Sequence, residues 1–412
     1  MSSKKRYQNR ALNPLRSFKN RDFRILWLHI VMWAGGTWLQ RLAVSWLILS
    51  MTGSAFLVTV SFGFYFLPNL VLGPISGTVA DRVNRKWLVI IVQVLNLASA
   101  LVLAIIVMAD VVQVWSVLLI ALVFGIGMSF GIPTSQALVY DIIGGQDAHN
   151  GIALQSVGLR FVGALGAVIG GILIETVGFG GAFLASAASF GLCLFMMTLL
   201  NNRPTQHFAE TRSVIFQLVE GFKLFVKTRF LATILVMAMV AEAFGYGAIS
   251  LLPVIASEAV LGVGASGLGI MNGAMSLGAT LGALSLAASL ELTHTGRRLL
   301  LAFLFCGLLT IAYSQSEIFL LSVILLSGFG LAQGIFDTLE IILLQKNVPD
   351  TMRGRVMGAW TFCIGVGPLG AIFLGYLAER IGVQNALGIS GLLVVISAIV
   401  VVISVPRLPE AE

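Results

Sequence analysis

Five ionisable side chains stand inside long apolar runs of this sequence: Arg41, Arg160, Glu242, Asp337 and Glu340. A charge in such surroundings is costly, so it faces a partner, a cavity or a ligand. A carboxylate there keeps its proton when dry and releases it when water or a cation arrives. That is the chemistry of a proton carrier, and Glu242 and Asp337 are the leading candidates for it. Asp337 and Glu340 are three residues apart, hence on one face of a helix. Arg41 is a candidate for coupling or substrate binding, whereas Arg160 either joins it or bridges helices. Trp33, Trp38, Trp46, Phe62, Phe64, Tyr65, Phe244 and Tyr246 are the aromatic candidates for lining a pocket for a bulky amphiphile, with packing as their other role. Gln136, Asn272 and Gln333 are open in the same way.

The elements that hold these side chains follow from composition. The chain has 412 residues, 58% hydrophobic and 10% charged. Soluble domains carry about 25% charge, so most of this surface meets lipid. A spanning helix needs about 20 apolar residues. Twelve such runs occur, at 23–50, 55–80, 87–109, 113–140, 151–177, 179–200, 230–257, 265–290, 299–315, 318–344, 354–380 and 382–405. They read as helices, because barrel strands are about ten residues long and alternate in polarity. Gly178 to Gly181 is read as a tight turn between the fifth and sixth runs.

Charge placement tests the count. With twelve spans, 22 of the 25 Lys and Arg fall on the side of the two termini, and only Arg380 falls opposite. The positive-inside bias makes that side cytoplasmic. The expected protein is therefore an all-α integral membrane protein of the plasma (inner) membrane, with both termini in the cytoplasm. The expected divisions are a cytoplasmic segment 1–22, a six-helix bundle 23–200, a linker 201–229, a second six-helix bundle 230–405 and a tail 406–412. Within the linker, Ile215, Leu218, Val219, Phe222, Phe225 and Val226 alternate helically with Lys223 and Lys227. This predicts a helix lying on the membrane surface.

The two bundles repeat. Gly125, Gly127, Gly131, Asp147 and Gly151 match Gly328, Gly330, Gly334, Asp350 and Gly354 at a constant offset of 203 positions. Repeats of six helices are a common way to build a transporter, with the substrate site near mid-membrane between them.

Between the second and third runs stands Gly73-Pro74-Ile75-Ser76-Gly77-Thr78-Val79-Ala80-Asp81-Arg82-Val83-Asn84-Arg85-Lys86. Gly73 and Gly77 open one helix face to a close neighbour. Asp81 is at a helix C-terminus, where the dipole disfavours a carboxylate, so it needs cations or another helix's N-terminus. Arg82, Arg85 and Lys86 supply positive charge. The group suits a conformational latch; its plainer role is a positive-inside stop. Asp141, near a helix end, is expected to be solvated.

This stretch resembles the signature of the major facilitator superfamily, with Gly77, Asp81, Arg82, Arg85 and Lys86 matching and Asn84 replacing a glycine. Further segments are similar to the enterobactin-exporter and macrolide-efflux group. These are Asn20 to Trp27, Gly36 to Ala43, Thr52-Gly53-Ser54, Glu220-Gly221-Phe222, Val348-Pro349-Asp350 and Arg353 to Met357. The resemblance implies two pseudo-symmetric six-helix bundles. It also implies export of a drug, siderophore or other amphiphile by alternating access, driven by a proton gradient and without a cofactor. The departures are a fifth run, Gly166-Ala167-Val168-Ile169-Gly170-Gly171, without the exporters' proline, and a fourth run without arginine. An importer or uniporter on the same fold, and a lipid-moving or non-transporting membrane protein, are the other readings. A small-molecule substrate, the bilayer, no nucleic acid and a monomeric state complete the expectation.

Two motifs point elsewhere only by letter. Gly127 to Gly131 fits G-x-S-x-G, but within an apolar run and without a strand or histidine partner. Gly365, Gly367 and Gly370 fit G-x-G-x-x-G without a preceding strand. Helix packing accounts for both. Cys193, Cys306 and Cys363 lack the spacing of a disulfide framework or a zinc site, and no enzyme chemistry is expected.

Overall fold

A computed structural model describes residues 15–201, 228–287, 294–348, 352, 356–357, 360, 362–363 and 365–405. Helices overlie every one of the twelve runs. They are α1 (Arg21–Thr52), α2 (Ala55–Arg82), α3 (Arg85–Met108), α4 (Val114–Ile143), α5 (Gly145–Leu199), α6 (Arg229–Ala256), α7 (Gly264–Ala287), α8 (Thr295–Ser314), α9 (Phe319–Lys346), α10 (Gly367–Ile381) and α11 (Val383–Ser404). The fifth and sixth runs form the two arms of α5, broken at Gly178 (φ 73°, ψ 179°). Only glycine takes that backbone without strain. The predicted surface helix in the linker lies outside the described residues.

Among the described residues, nine segments are long and apolar enough to cross a membrane by length and composition, with both arms of α5 in one. α10 is short in its described part. α1, which carries Asp22, Arg24, His29, Gln40 and Arg41, falls outside. The outer surface is apolar: Ile105, Trp115, Leu320 and Ile403 each leave 63–72% of their area exposed. Water does not tolerate such a belt on a monomer, but lipid does.

Side chains cap the starts of two helices. Asn20 caps α1 through the Asp22 and Phe23 N–H groups. Asn84 accepts from the Trp87 N–H at the start of α3, so the residue that replaces the signature's glycine is a helix cap.

The repeat is visible in which helices pair, not in the contacts of matching glycines. A side chain at Gly125 would meet the Tyr65 backbone, joining α4 to α2; one at Gly330 or Gly334 would meet the Met275 or Ala279 backbone, joining α9 to α7. The same pair of helices thus closes in each bundle, α1–α5 and α6–α11. The glycines of the two misleading motifs do the same work. Gly127 and Gly131 face Asn96 and Val92 of α3, and Gly370 faces Ala243 of α6.

The apolar core differs at the two ends. At the end away from Arg21, here the far end, one cluster runs through both bundles, including Leu47, Val58, Phe183, Leu252, Met271 and Leu374. At the near end it splits. Phe23, Leu26, Val89 and Val139 belong to the first bundle alone, and Leu231, Leu299, Leu343 and Val401 to the second alone.

Candidate functional site

The far-end seam is made by four helices. A side chain at Gly171 or Gly269 would meet the Ala265 or Ala167 carbonyl, joining α5 to α7; one at Gly375 would overlap Thr59, joining α10 to α2. Carboxylates hold both pairs. Glu175 of α5 accepts from the Ser266 N–H at 2.9 Å and from its hydroxyl. Glu379 of α10 accepts from the Ser54 hydroxyl and from the Phe56 N–H at 3.3 Å. Each sits at a helix N-terminus, where unsatisfied N–H groups and the dipole favour an anion. Neither glutamate was picked out from sequence. Each has the appearance of an ordinary loop-proximal acid until the opposite bundle is in place.

Below the seam, α6 widens. Ala241–Tyr246 is a π turn, with the Gly247 N–H donating to the Glu242 carbonyl. Such turns cost hydrogen-bond geometry and recur at functional sites. It brings Glu242 and Tyr246 toward one side and lets α10 approach, with Gly367 beside Glu242. Three carboxylates then interact: Glu242 feels both Asp337 and Glu340. Arg160 of α5 and the Tyr246 hydroxyl are the partners of Asp337. Glu340 is 3% exposed and accepts from Trp360 Nε1 at 2.6 Å. It is therefore enclosed between α9 and the segment before α10. Four of the five sequence candidates, Arg160, Glu242, Asp337 and Glu340, thus converge. Tyr246 is the member sequence reading undervalued, since nothing in its type separates a packing aromatic from a hydrogen-bonded one.

Arg41 stands apart from the carboxylates. Its guanidinium lies 4.6 Å from the Trp38 ring centre, 5.2 Å from Phe62 and 5.3 Å from Phe66. It borders a cavity shared by α1, α2, α6 and α7. Its electrostatic neighbours are the Tyr65 and Tyr246 hydroxyls. Tyr246 is therefore the link between the arginine and the carboxylates. Of the open polar candidates, Asn272 lines this cavity.

At the near end, Arg85 is 5% exposed, donates from Nε to the Ala80 carbonyl at 3.2 Å and pairs with Asp141 at 2.7 Å. Asp141 is thus buried and paired, not solvated as sequence suggested; α4 brings it under the end of α2. Lys86 donates to the Leu200 carbonyl at 2.5 Å, and Arg82 is exposed. Asp81 lies in the last turn of α2. Among the described residues, Gly73 meets only Asn69 of its own helix, so its open face is not packed by a neighbour there.

Comparisons agree with this architecture. A family profile described as transmembrane secretion effector matches residues 11–412. The staphyloferrin A transporter of Staphylococcus aureus (strain NCTC 8325 / PS 47) is 22% identical over 87% of this chain and 89% of its own length. The enterobactin exporter EntS of Shigella flexneri is 24% identical over 85% of this chain and 83% of its own. The multidrug efflux pump Tap of Mycobacterium tuberculosis (strain ATCC 25618 / H37Rv) is 22% identical over 93% of each chain. Among solved structures, the nucleoside transporter NupG superposes with a TM-score of 0.70 at 16% identity, over 94% of this chain and 98% of that one. The peptide transporter POT in complex with sulfate gives 0.72 at 15% identity, over 95% and 96%. These structures speak for the fold alone. With the profile spanning nearly every residue and the two-bundle helical fold in place, this chain belongs to the transmembrane secretion effector family of major facilitator transporters, membrane proteins that move small molecules and are not enzymes.

Proposed function

We propose that the chain is a proton-coupled exporter of an amphiphilic small molecule, working by alternating access. The observation that carries this reading is the depth of the carboxylate group. Glu242 lies in the π turn where the shared far-end core gives way to two separate near-end cores, and neighbouring Phe244 packs against both the shared core and the second bundle's own. A proton site there is exposed to water from one side at a time as the bundles rock. Glu242 and Asp337 exchange the proton, Arg160 and Tyr246 hold Asp337, and substrate occupies the cavity between bundles. In this reading all twelve runs cross the plasma membrane, the bundles are 23–200 and 230–405, the near end is cytoplasmic, and the transporter acts as a monomer.

The near-end group of Gly73, Gly77, Asp81, Arg82, Arg85 and Lys86 is the latch of the opposite, outward-facing state. At Gly73 that face meets no neighbouring helix among the described residues, as a released latch would allow. Export is favoured over import by the relatives named for efflux and export.

The test is reconstitution in vesicles holding a pH-sensitive dye, with a panel of amphiphilic drugs and siderophores. Substrate-induced proton movement that disappears in Glu242→Gln supports antiport through α6. Flux without proton movement would replace the proton with another driving force. Flux that persists unchanged in Asp81→Asn, with folded protein, would end the latch assignment.

A further inference from the structure

Arg41 carries a charge at membrane depth that no carboxylate among the described residues neutralises. Among the described residues no carboxylate lies within ion-pair distance, and its guanidinium donates to no protein acceptor. Its partners are three ring faces. Cation–π contacts hold a guanidinium in place but leave its edge donors unused. Arg41 is half-buried, and a cation at this depth with unused donors favours a counter-ion. A second observation points the same way. The Tyr65 side chain is 2% exposed, and its hydroxyl has no hydrogen-bond partner. That hydroxyl interacts electrostatically with Arg41, and both residues line the cavity. A buried hydroxyl without an acceptor and a half-buried guanidinium thus border one space, walled by Phe62, Leu268 and Pro253. Of the carboxylates at this depth, Glu340 is held by Trp360, and Asp337 interacts electrostatically with Arg160.

We infer that this cavity takes the anionic head of an amphiphilic organic anion, with Arg41 and the Tyr65 hydroxyl as its ligands and the apolar walls holding its body. The inference deepens the transport reading by naming a substrate class. It also assigns Arg41 to binding, distinct from proton exchange at Glu242 and Asp337. Because the cavity draws on both bundles, an anion there bridges them.

The test uses two probes that share a ring system and differ in charge, naphthalene-2-carboxylate and naphthalen-2-ylmethylammonium. Their equilibrium binding to the purified full chain is measured in detergent. The carboxylate is expected to bind and the ammonium not. Arg41→Gln should weaken the carboxylate about tenfold or more, as expected for loss of a charged hydrogen-bond partner. Tyr65→Phe should weaken it less, and Arg41→Lys, which keeps charge but loses the planar fork, should fall between. Should Arg41→Gln not fold, Tyr65→Phe and Arg41→Lys carry the test. Equal binding of both probes, binding of neither, or carboxylate affinity unchanged in the folded variants would overturn the assignment. Binding is read without flux or protons. Its failure beside persisting drug flux removes only the anion assignment, and its success without any flux removes only the exporter reading.

Discussion

Glu175 and Ser266 face each other across the seam between the two bundles, with the serine N–H 2.9 Å from the carboxylate. Glu379 and Ser54 make the equivalent contact on the other side of the seam. In each case the fifth helical run of one bundle caps the second helix of the other. These clasps tie the far ends only in this conformation, since rocking the bundles separates them. Each is exposed and so worth on the order of 1 kcal/mol. Glu175→Gln combined with Glu379→Gln should therefore shift the population several-fold toward a far-end-open state without unfolding the protein. Spin labels at Val177 and Leu261 would report a longer distance component, and an unchanged distribution would dismiss the clasps as ornaments of one state.

Two glycines of α10 should behave differently. Gly370 packs on Ala243 within its own bundle, whereas Gly375 packs on Thr59 across the seam. Gly370→Val should reduce folded yield and thermal stability. Gly375→Val should leave stability near that of the parent and instead open the far end, because only the seam is wedged. Melting curves and the same spin-label distances separate the two effects. Equal destabilisation by both would show that the seam is part of the core.

The Arg85–Asp141 pair is the most enclosed ion pair among the described residues, with side chains 6% and 8% exposed. Removing one partner strands the other, typically at about 3–5 kcal/mol for a buried pair, while replacing both by apolar groups costs much less. Asp141→Leu alone should lower the melting midpoint more than Arg85→Met with Asp141→Leu. If the losses simply add, the pair is solvated in solution and its stabilising role fails.

Tyr246 links Arg41 to the carboxylates. Tyr246→Phe keeps the ring and removes the hydroxyl that Asp337 uses. Folding should be unaffected, and substrate-driven proton movement in vesicles should fall by about tenfold with a changed pH dependence. Wild-type proton movement at every pH would remove Tyr246 from the coupling group.

Much of this molecule is decided along the chain. Runs of about 20 apolar residues can only be helices in lipid, so the helices, and the turn at Gly178, stand where hydropathy and glycine place them. Asp81, Arg85 and Lys86 are legible because their spacing is tied to one loop. Arg160, Glu242, Asp337 and Glu340 are legible because a charge inside an apolar run is conspicuous wherever the helix turns. Rotation and contact are not legible. Hydropathy carries no phase in helices apolar on most faces, so it did not show that Asp141 turns inward to Arg85. Nor did it show that Arg41 lies among rings rather than acids, or that Glu175 and Glu379 reach across the seam. The π turn at Ala241–Tyr246, packed beside Gly367 and Gly370, is likewise not legible in the sequence. The sequence alone determined how many apolar helical runs there are and which charges they carry; the tertiary structure decided which charges meet, because partners from separate helices are brought together only by packing.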